Sequence, residues 1–232
     1  ALIISECKPQ TSSFNDSKNS TEIENHFLLR DQTEKSFFPN DNYFIPKTLP
    51  IVYKEANSPY VYEVIKNFKP DILIVFGSSI IKEPLISLLP VGHIINLHLG
   101  ISPYYRGSGT NFWPFVNDEL EYLGSTILHL DAGIDTGDII CHVRPNIELN
   151  DNVHTVGCKI IKSSVEFLIK IIKLLDGGKK LNRVKQWEVK DRYYKTKDFD
   201  ETALSKYKNN LKNNMIKNYL ESEDKKITLV DL

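Results

Sequence analysis

The sequence predicts an α/β fold built on an open sheet, and three observations support this. Short apolar runs at 51–53, 71–77 and 93–99 have the length and the turn-residue boundaries of strands. Segments with apolar residues three or four positions apart, at 61–68 and 153–175, read as helices. Strands alternate with helices, as in open α/β sheets. The run 71–77 is apolar throughout, which predicts a strand covered on both faces.

Capping and breaking residues set the predicted helix ends. Ser58 caps a helix with Pro59 at its first position, and Pro70 ends it. Asp151 opens a long helix that Gly177 stops. The other predicted elements are a strand at 1–6, short helices at 84–89 and 110–117, strands at 124–131, 138–144 and 183–189, and a polar helix at 201–220.

Two segments stand apart from this alternation. Residues 8–50 are polar and weakly periodic, which predicts a long loop anchored by the aromatic residues at 37–38 and 43–44. Residues 1–190 are expected to form one domain, and residues 191–232 a helical tail with a loose end.

Composition narrows the functional classes. Lys and Arg number 29 and Asp and Glu 30, so the net charge favours neither nucleic acid nor a membrane surface as a partner. The basic stretch 179–226 is either a solvated helix or a surface for an anionic substrate or RNA. Three widely spaced cysteines predict neither a disulfide framework nor structural zinc, and no residues have metal-ligand spacing. No apolar run has the length of a membrane span, so a cytoplasmic protein is expected.

Polar side chains on a buried strand mark the candidate site. Alternation places Asn96 and His98 on the same face of the strand at 93–99. Buried amide and imidazole groups need partners, and loops after such strands are where α/β proteins build their sites. A glycine-rich turn follows at 100–109, and a loop with three acids lies between two apolar strands at 128–140.

The order of these motifs resembles the folate-dependent formyltransferases over residues 45–190. The matching features are Asn96-x-His98, a loop ending in Pro-x-x-Arg-Gly, and Asp-x-Gly-x-Asp-Thr-Gly-Asp-Ile-Ile, which contains Asp135. The resemblance implies a Rossmann-like sheet of the formyltransferase type and a catalytic triad of Asn96, His98 and Asp135. It also implies 10-formyltetrahydrofolate as co-substrate. Members of the family begin with a further strand and helix, so both are expected to be absent from this chain.

The resemblance also suggests where the folate binds. The pteridine would lie against backbone groups near Ile80, Ile81 and Gly133, although the two isoleucines could equally be ordinary core residues.

The loop after His98 departs from the family's common form, so the acceptor is less specified than the donor. Here it reads His-Leu-Gly-Ile-Ser-Pro, where many members have His-Pro-Ser-Leu-Leu-Pro. Tyr104, Tyr105 and Arg106 are predicted to line an acceptor pocket, with a structural ion pair as the alternative for Arg106.

The predicted activity is transfer of a formyl group to the primary amine of a small acceptor, preferably a nucleotide-linked amino sugar. Alternatives are glycinamide ribonucleotide, methionyl-tRNA, hydrolysis of formyl-folate, and a non-catalytic binding or scaffold domain. The sequence leaves open whether the chain forms a homo-oligomer.

Overall fold

A computed structural model describes residues 1–7, 21–39, 46–190, 192–222 and 226–232. Its strands are β1 (Leu2–Cys7), β2 (Lys47–Val52), β3 (Leu73–Phe76), β4 (Ile94–His98), β5 (Tyr105–Gly107), β6 (Ser125–His129), β7 (Ile139–Val143) and β8 (Arg192–Tyr194). Its α-helices are α1 (Glu22–Phe37), α2 (Pro59–Phe68), α3 (Trp113–Asn117), α4 (Val153–Asp176), α5 (Glu201–Lys212) and α6 (Met215–Glu221).

The central sheet has the strand order β3-β4-β6-β7. β3 and β4 are parallel, whereas β6 runs antiparallel to both of its neighbours. Two parallel strand pairs, β1 with β2 and β5 with β8, form separate small sheets. The α/β class is confirmed, and the sheet that carries the candidate site is mixed.

One prediction about β3 is wrong. Its residues alternate between partly buried and exposed, and Ile74 and Phe76 are 37% and 47% exposed. Among the described residues, therefore, one face of this strand is packed and the other is not.

The capping predictions agree with the structure, with one shift. Ser58 accepts from the backbone N–H of Val61, and Pro59 begins α2. The cap of α4 is Asn152 instead of Asp151, because the Asn152 side chain accepts from two backbone N–H groups of the first turn. Gly177 ends α4 as predicted.

The predicted loop at 8–50 contains a helix, which is a correction. Thr21 and Glu24 form a reciprocal capping box at the start of α1, and this Thr-x-x-Glu pattern is the sequence signal that could have revealed it. No residue of α1 is fully buried, and its apolar residues recur only weakly at helical spacing. The predicted anchors at 43–44 lie outside the described residues.

The C-terminal segment also differs from expectation. The polar helix at 201–220 is two helices, broken at Asn214, whose φ is +58°. The last residues are tied down, since Thr228 and Val230 donate backbone N–H groups to the Tyr104 hydroxyl and to His142 Nδ1. The domain boundary at residue 190 stays a prediction.

Two predictions about smaller elements are wrong. The predicted strand at 183–189 has a single bridge, from Val184 to Ile139, and the pairing strand is β8. Residues 84–89 form turns instead of a helix.

Three hydrophobic clusters position the site. One lies between β4, β6 and β7 and the second half of α4. Another joins the loop after β4 to α3, the start of α4, α5 and α6. The third packs α2 on β2. No helix among the described residues is both long and apolar enough to cross a membrane.

Candidate active site

The structure brings Asn96, His98 and Asp135 together. Asn96 Nδ2 donates to Asp135 Oδ1 at 3.2 Å, and His98 Nδ1 lies 3.3 Å from Asp135 Oδ2. Asn96 and His98 share one face of β4, as the alternation predicts. One carboxylate therefore contacts both polar side chains of this strand.

The second ring nitrogen of His98 also has an acceptor. Nε2 lies 3.2 Å from the carbonyl oxygen of Tyr105. A ring with both nitrogens protonated donates to the carboxylate on one side and the carbonyl on the other. The ring is 7% exposed, so these contacts hold it in a largely desolvated position.

Gly100 leaves room for this ring. A Cβ at this position would lie 2.7 Å from His98 Nε2 and 2.7 Å from the Thr110 Cβ. The loop is held to β6, because Thr126 Oγ1 donates to the Gly100 carbonyl and accepts from the Ser102 N–H. This close approach explains a glycine in the His-Leu-Gly-Ile-Ser-Pro sequence.

The acidic loop between β6 and β7 presents Asp135 from a left-handed backbone conformation, with φ at +53°. Asp131 folds the loop by accepting from the Gly133 N–H and the Thr136 hydroxyl. Gln186 Nε2 donates to the carbonyl oxygens of Asp135 and Gly137, at 2.7 and 3.0 Å. The carboxylate of Asp135 is thus placed by contacts on both sides of the loop.

These residues lie at a cavity of about 940 Å³. Its walls come from the ends of β3 and β4, the loop at 77–82, the acidic loop and the segment at 193–196. Its charged lining residues are three lysines and two aspartates: Lys54, Lys82, Lys195, Asp131 and Asp135. A site of this size holds ligands as large as common cofactors.

The predicted folate contacts Ile80, Ile81 and Gly133 all line this cavity. The backbone at 80–82 is held by Asn57, whose amide donates to the Ile80 carbonyl at 2.8 Å and accepts from the Lys82 N–H at 2.7 Å.

Glu6 on β1 supports the same loop. It accepts from the backbone N–H and the hydroxyl of Ser79, and the hydrogen bonds to its carboxylate outweigh burial and lower the pKa of Glu6.

The predicted acceptor contacts are placed differently. Tyr104 and Tyr105 are buried in the core, and Arg106 lines a separate cavity beside Gln186 and Trp187. None of the three lines the cavity that holds His98. Bulky apolar rings pack inward from this loop, and that placement counts against the prediction that these tyrosines contact an acceptor.

Residues 193–196, which were not among the predicted site residues, line the cavity that holds His98. Tyr194 stacks on Trp113 with ring centroids 4.0 Å apart, and Trp113 Nε1 donates to the Ser108 carbonyl. The segment reaches the site because β8 pairs with β5. No local sequence signal indicates a pairing over that separation.

Comparison with known proteins identifies the family of this chain. The family model described as formyl transferase matches residues 30–172, a range that includes Asn96, His98 and Asp135. Methionyl-tRNA formyltransferase of Caldanaerobacter subterraneus subsp. tengcongensis is 30% identical over 146 residues, which are 62% of this chain and 47% of that protein. The enzyme of the same name from Desulforamulus reducens is 34% identical over 114 residues, covering 49% of this chain and 36% of that protein. This chain therefore spans about half or less of the length of these relatives.

Solved structures share the fold. The formyltransferase PseJ from Anoxybacillus kamchatkensis, in complex with UDP-4,6-dideoxy-4-formamido-L-AltNAc and tetrahydrofolate, superposes with a TM-score of 0.53 at 22% identity, covering 85% of this chain and 87% of that one. A sugar N-formyltransferase from a Shewanella species gives 0.56 at 18% identity, covering 85% and 77%. Phosphoribosylglycinamide formyltransferase from Anaplasma phagocytophilum gives 0.50 at 20% identity, covering 64% and 76%.

The family match covers more than half of the chain, and the strand and loop within it carry the Asn96, His98 and Asp135 cluster. With the shared α/β fold, these findings establish that the chain belongs to the formyl transferase family.

Proposed function

We propose that this chain transfers a formyl group from 10-formyltetrahydrofolate to the primary amine of a small acceptor. The observation that carries the proposal is the shared carboxylate of Asp135, which contacts Asn96 and His98 beside one large cavity. Formyl-folate supplies the activated formyl group. The cavity lining combines the apolar side chains of Ile80, Ile81 and Ile134 with polar loop groups, which suits a flat ring with polar edges.

Asn96 is the proposed donor to the formyl oxygen. Its amide has two N–H groups, and one is used by Asp135, so the other is available for the negative charge that develops on that oxygen. A donor placed in this way is typically worth about 3–4 kcal/mol of barrier.

His98 acts by its charge in this proposal. Both of its ring nitrogens already face acceptors, so a direct bond to the formyl oxygen would require one contact to open. A doubly protonated ring held beside the reaction centre still favours developing negative charge there.

Asp135 is the proposed acceptor for the proton of the attacking amine, through water. Its side chain is 14% exposed and lines the cavity. The amine loses one proton and the departing folate nitrogen gains one, so transfer releases no net proton. General acid–base assistance of this kind typically raises the reaction rate by roughly 10²–10⁴-fold.

Three lysines in the lining of the cavity favour a small anionic acceptor. Lys54, Lys82 and Lys195 line the cavity and can pair with phosphate, which suits a nucleotide-linked amino sugar. Glycinamide ribonucleotide carries the same charge, and the relatives near 30% identity are methionyl-tRNA formyltransferases. The neighbours below 25% identity support the fold and do not select among these acceptors.

The test begins with calorimetric titration of 5-formyltetrahydrofolate, a stable analogue of the donor. We expect micromolar binding by the wild type and by His98→Ala, since the proposed ring sites lie on other loops. Formylation of amino sugar nucleotides, glycinamide ribonucleotide and methionyl-tRNA is then compared. His98→Ala should reduce turnover at least 100-fold.

Three outcomes would contradict the proposal. Near-normal turnover by His98→Ala would contradict the proposed role of His98 in catalysis. Free formate in the absence of any acceptor amine would indicate a hydrolase. No binding of folate by the folded chain would favour the scaffold alternative.

A further inference from the structure

The carbonyl of Tyr105 is one of the two contacts that orient the His98 ring. It lies 3.2 Å from Nε2, and the Tyr105 side chain is completely buried. Moving this carbonyl would leave Nε2 without its acceptor or rotate the ring away from Asp135. The position of Tyr105 therefore matters for the geometry of the site.

The backbone of Tyr105 is held by a strand from the C-terminal segment. β5 pairs with β8, with Tyr105 opposite Arg192. The Arg192 N–H donates to the Tyr104 carbonyl at 3.0 Å, and the Ser108 N–H donates to the Tyr194 carbonyl at 2.8 Å. Among the described residues the pair forms no strand ladder with the central sheet. Besides the bond from the Tyr105 N–H to the Ile101 carbonyl, side-chain contacts therefore contribute to where it lies.

A polar cluster around the Tyr105 hydroxyl provides that fixation. The hydroxyl donates to Glu119 Oε2, and the other carboxylate oxygen of Glu119 pairs with Arg192. Asn117 Nδ2 donates to the hydroxyls of Tyr105 and Tyr194, each at 2.9 Å. Burial and the Glu119 contact raise the pKa of Tyr105, so its hydroxyl stays a donor.

The guanidinium of Arg192 completes the cluster. Its central carbon lies 5.2 Å from the centre of the Tyr105 ring and 5.4 Å from that of Tyr122. Arg192 and Glu119 are each about one quarter exposed, so the pair is partly desolvated and sensitive to the loss of either partner.

We propose that Tyr105, Glu119 and Arg192 form a positioning unit that sets the orientation of His98 through the Tyr105 carbonyl. Arg192 lies outside the residues 30–172 that match the family model. The C-terminal segment is therefore a working part of the active site in this chain. The kinetic part of this inference rests on the proposed formyl transfer, whereas the geometric part does not.

The decisive variants are Tyr105→Phe, which keeps the ring and removes its hydroxyl, and Arg192→Met, with Arg192→Lys as the conservative replacement. The control is Arg144→Met. Arg144 donates to the Tyr219 hydroxyl at 2.7 Å, so this variant removes a comparable Arg–Tyr contact that does not touch Tyr105. Circular dichroism verifies folding; if Arg192→Met does not fold, Tyr105→Phe and Arg192→Lys carry the test.

The first readout is the ring ¹⁵N NMR spectrum of His98, assigned by the signals that disappear in His98→Gln. We expect Tyr105→Phe and Arg192→Met to shift the His98 ring signals, Arg192→Lys to restore them at least in part, and Arg144→Met to leave them unchanged. Unchanged His98 signals in the folded Tyr105→Phe and Arg192 variants would overturn the proposal. So would an equal shift in Arg144→Met.

The second readout is kinetic. We expect kcat to fall about 10- to 100-fold in Tyr105→Phe, as misplaced catalytic groups typically cause, while KM for donor and acceptor changes less than twofold. A rise in KM with unchanged kcat would contradict positioning of His98. If the NMR shifts occur but even the wild type transfers no formyl group, the positioning unit stands and the proposed function fails.

Discussion

Asn96 donates from Nδ2 to Oδ1 of Asp135 over 3.2 Å, across 39 residues of sequence. The other oxygen of the same carboxylate faces His98 Nδ1. Asp135 adopts a left-handed backbone conformation at this point, which a non-glycine residue accepts at a cost. Strain at a residue that links two polar side chains is consistent with a functional constraint on the loop.

Replacing Asp135 by Asn should therefore reduce turnover strongly. The amide keeps the size of the side chain but removes the charge beside His98 and the proposed proton acceptor. We expect kcat to fall by about 10²–10⁴-fold, measured with the best acceptor found by screening. Asp138→Asn is the matched control, because Asp138 lies in the same loop but pairs with Arg183. Equal losses in the two variants would point to a general effect on the loop.

Gly133→Ala should weaken folate binding. A Cβ at Gly133 would overlap the Thr136 hydroxyl, which donates to Asp131, so this contact that folds the loop must be displaced. We expect the Kd of 5-formyltetrahydrofolate, measured by calorimetry, to rise about tenfold, which corresponds to about 1.4 kcal/mol.

Gly157→Ala is the control for that variant. Gly157 lies inside α4, and a Cβ there would meet no atom within 4 Å. Alanine should stabilise the helix by about 0.5–1 kcal/mol in chemical denaturation and leave the Kd unchanged. An unchanged Kd of 5-formyltetrahydrofolate in Gly133→Ala would contradict the prediction that this loop contacts the folate.

Asn57→Ala should also weaken folate binding, through the loop at 77–82. Its amide bonds to both Ile80 and Lys82, so alanine releases the segment that carries the predicted pteridine contacts. We expect a Kd at least fivefold higher, and an intermediate value for Asn57→Asp, which keeps the acceptor for the Lys82 N–H and loses the donor to Ile80. Asn218 on α6 donates from its side chain to the nearby Asn213 carbonyl, and Asn218→Ala should bind folate as the wild type does. A Kd for Asn57→Ala within twofold of the wild-type value would contradict a role for the Asn57 hydrogen bonds in folate binding.

A histidine pair between α1 and α4 should make stability depend on pH. His26 and His154 have ring centroids 4.4 Å apart. Burial, and then the positive charge of Arg30, lowers the pKa of His26 to about 4. Burial, followed by the charges of His26 and Arg30, lowers the pKa of His154 to about 4 as well. Asp31 acts weakly in the opposite direction on His154.

The direction of the pH effect on the free energy of unfolding follows from proton binding by the folded and unfolded chains. Unfolded histidines have a pKa near 6.5, so between about pH 6.5 and pH 4 the unfolded chain binds more protons and stability falls as the pH falls. We expect a loss of about 2–4 kcal/mol over this range from the pair, after allowance for its partial exposure. Urea denaturation at several pH values measures it.

The double variant His26→Phe with His154→Phe isolates this contribution. Burial also lowers the pKa values of His129 and His142, but both residues remain in the two proteins and cancel in the difference. A flatter pH dependence in the double variant is expected. Parallel curves would mean that the pair does not govern acid stability.

Local sequence pattern was enough to predict several parts of this protein. Strand alternation put Asn96 and His98 on one face of β4, and the apolar runs around residues 125–143 placed an acidic loop between two strands. The helix ends at Ser58 and Gly177 followed from backbone groups that need local partners. Periodicity and caps are set by residues a few positions apart, which makes them readable without a structure.

The other features depend on how distant segments pack in the folded chain. Helix α1 buries no residue completely and its apolar periodicity is weak, so apart from the capping box of Thr21 and Glu24 its sequence resembled that of a loop. Tyr104 and Tyr105 turned into the core, where their rings contact Trp187 and Tyr194 from the C-terminal part of the chain. The pairing of β5 with β8, which brings Tyr194 and Lys195 to the cavity, joins segments far apart in the chain. Such contacts depend on the summed packing of the whole fold, and no local sequence signature records them.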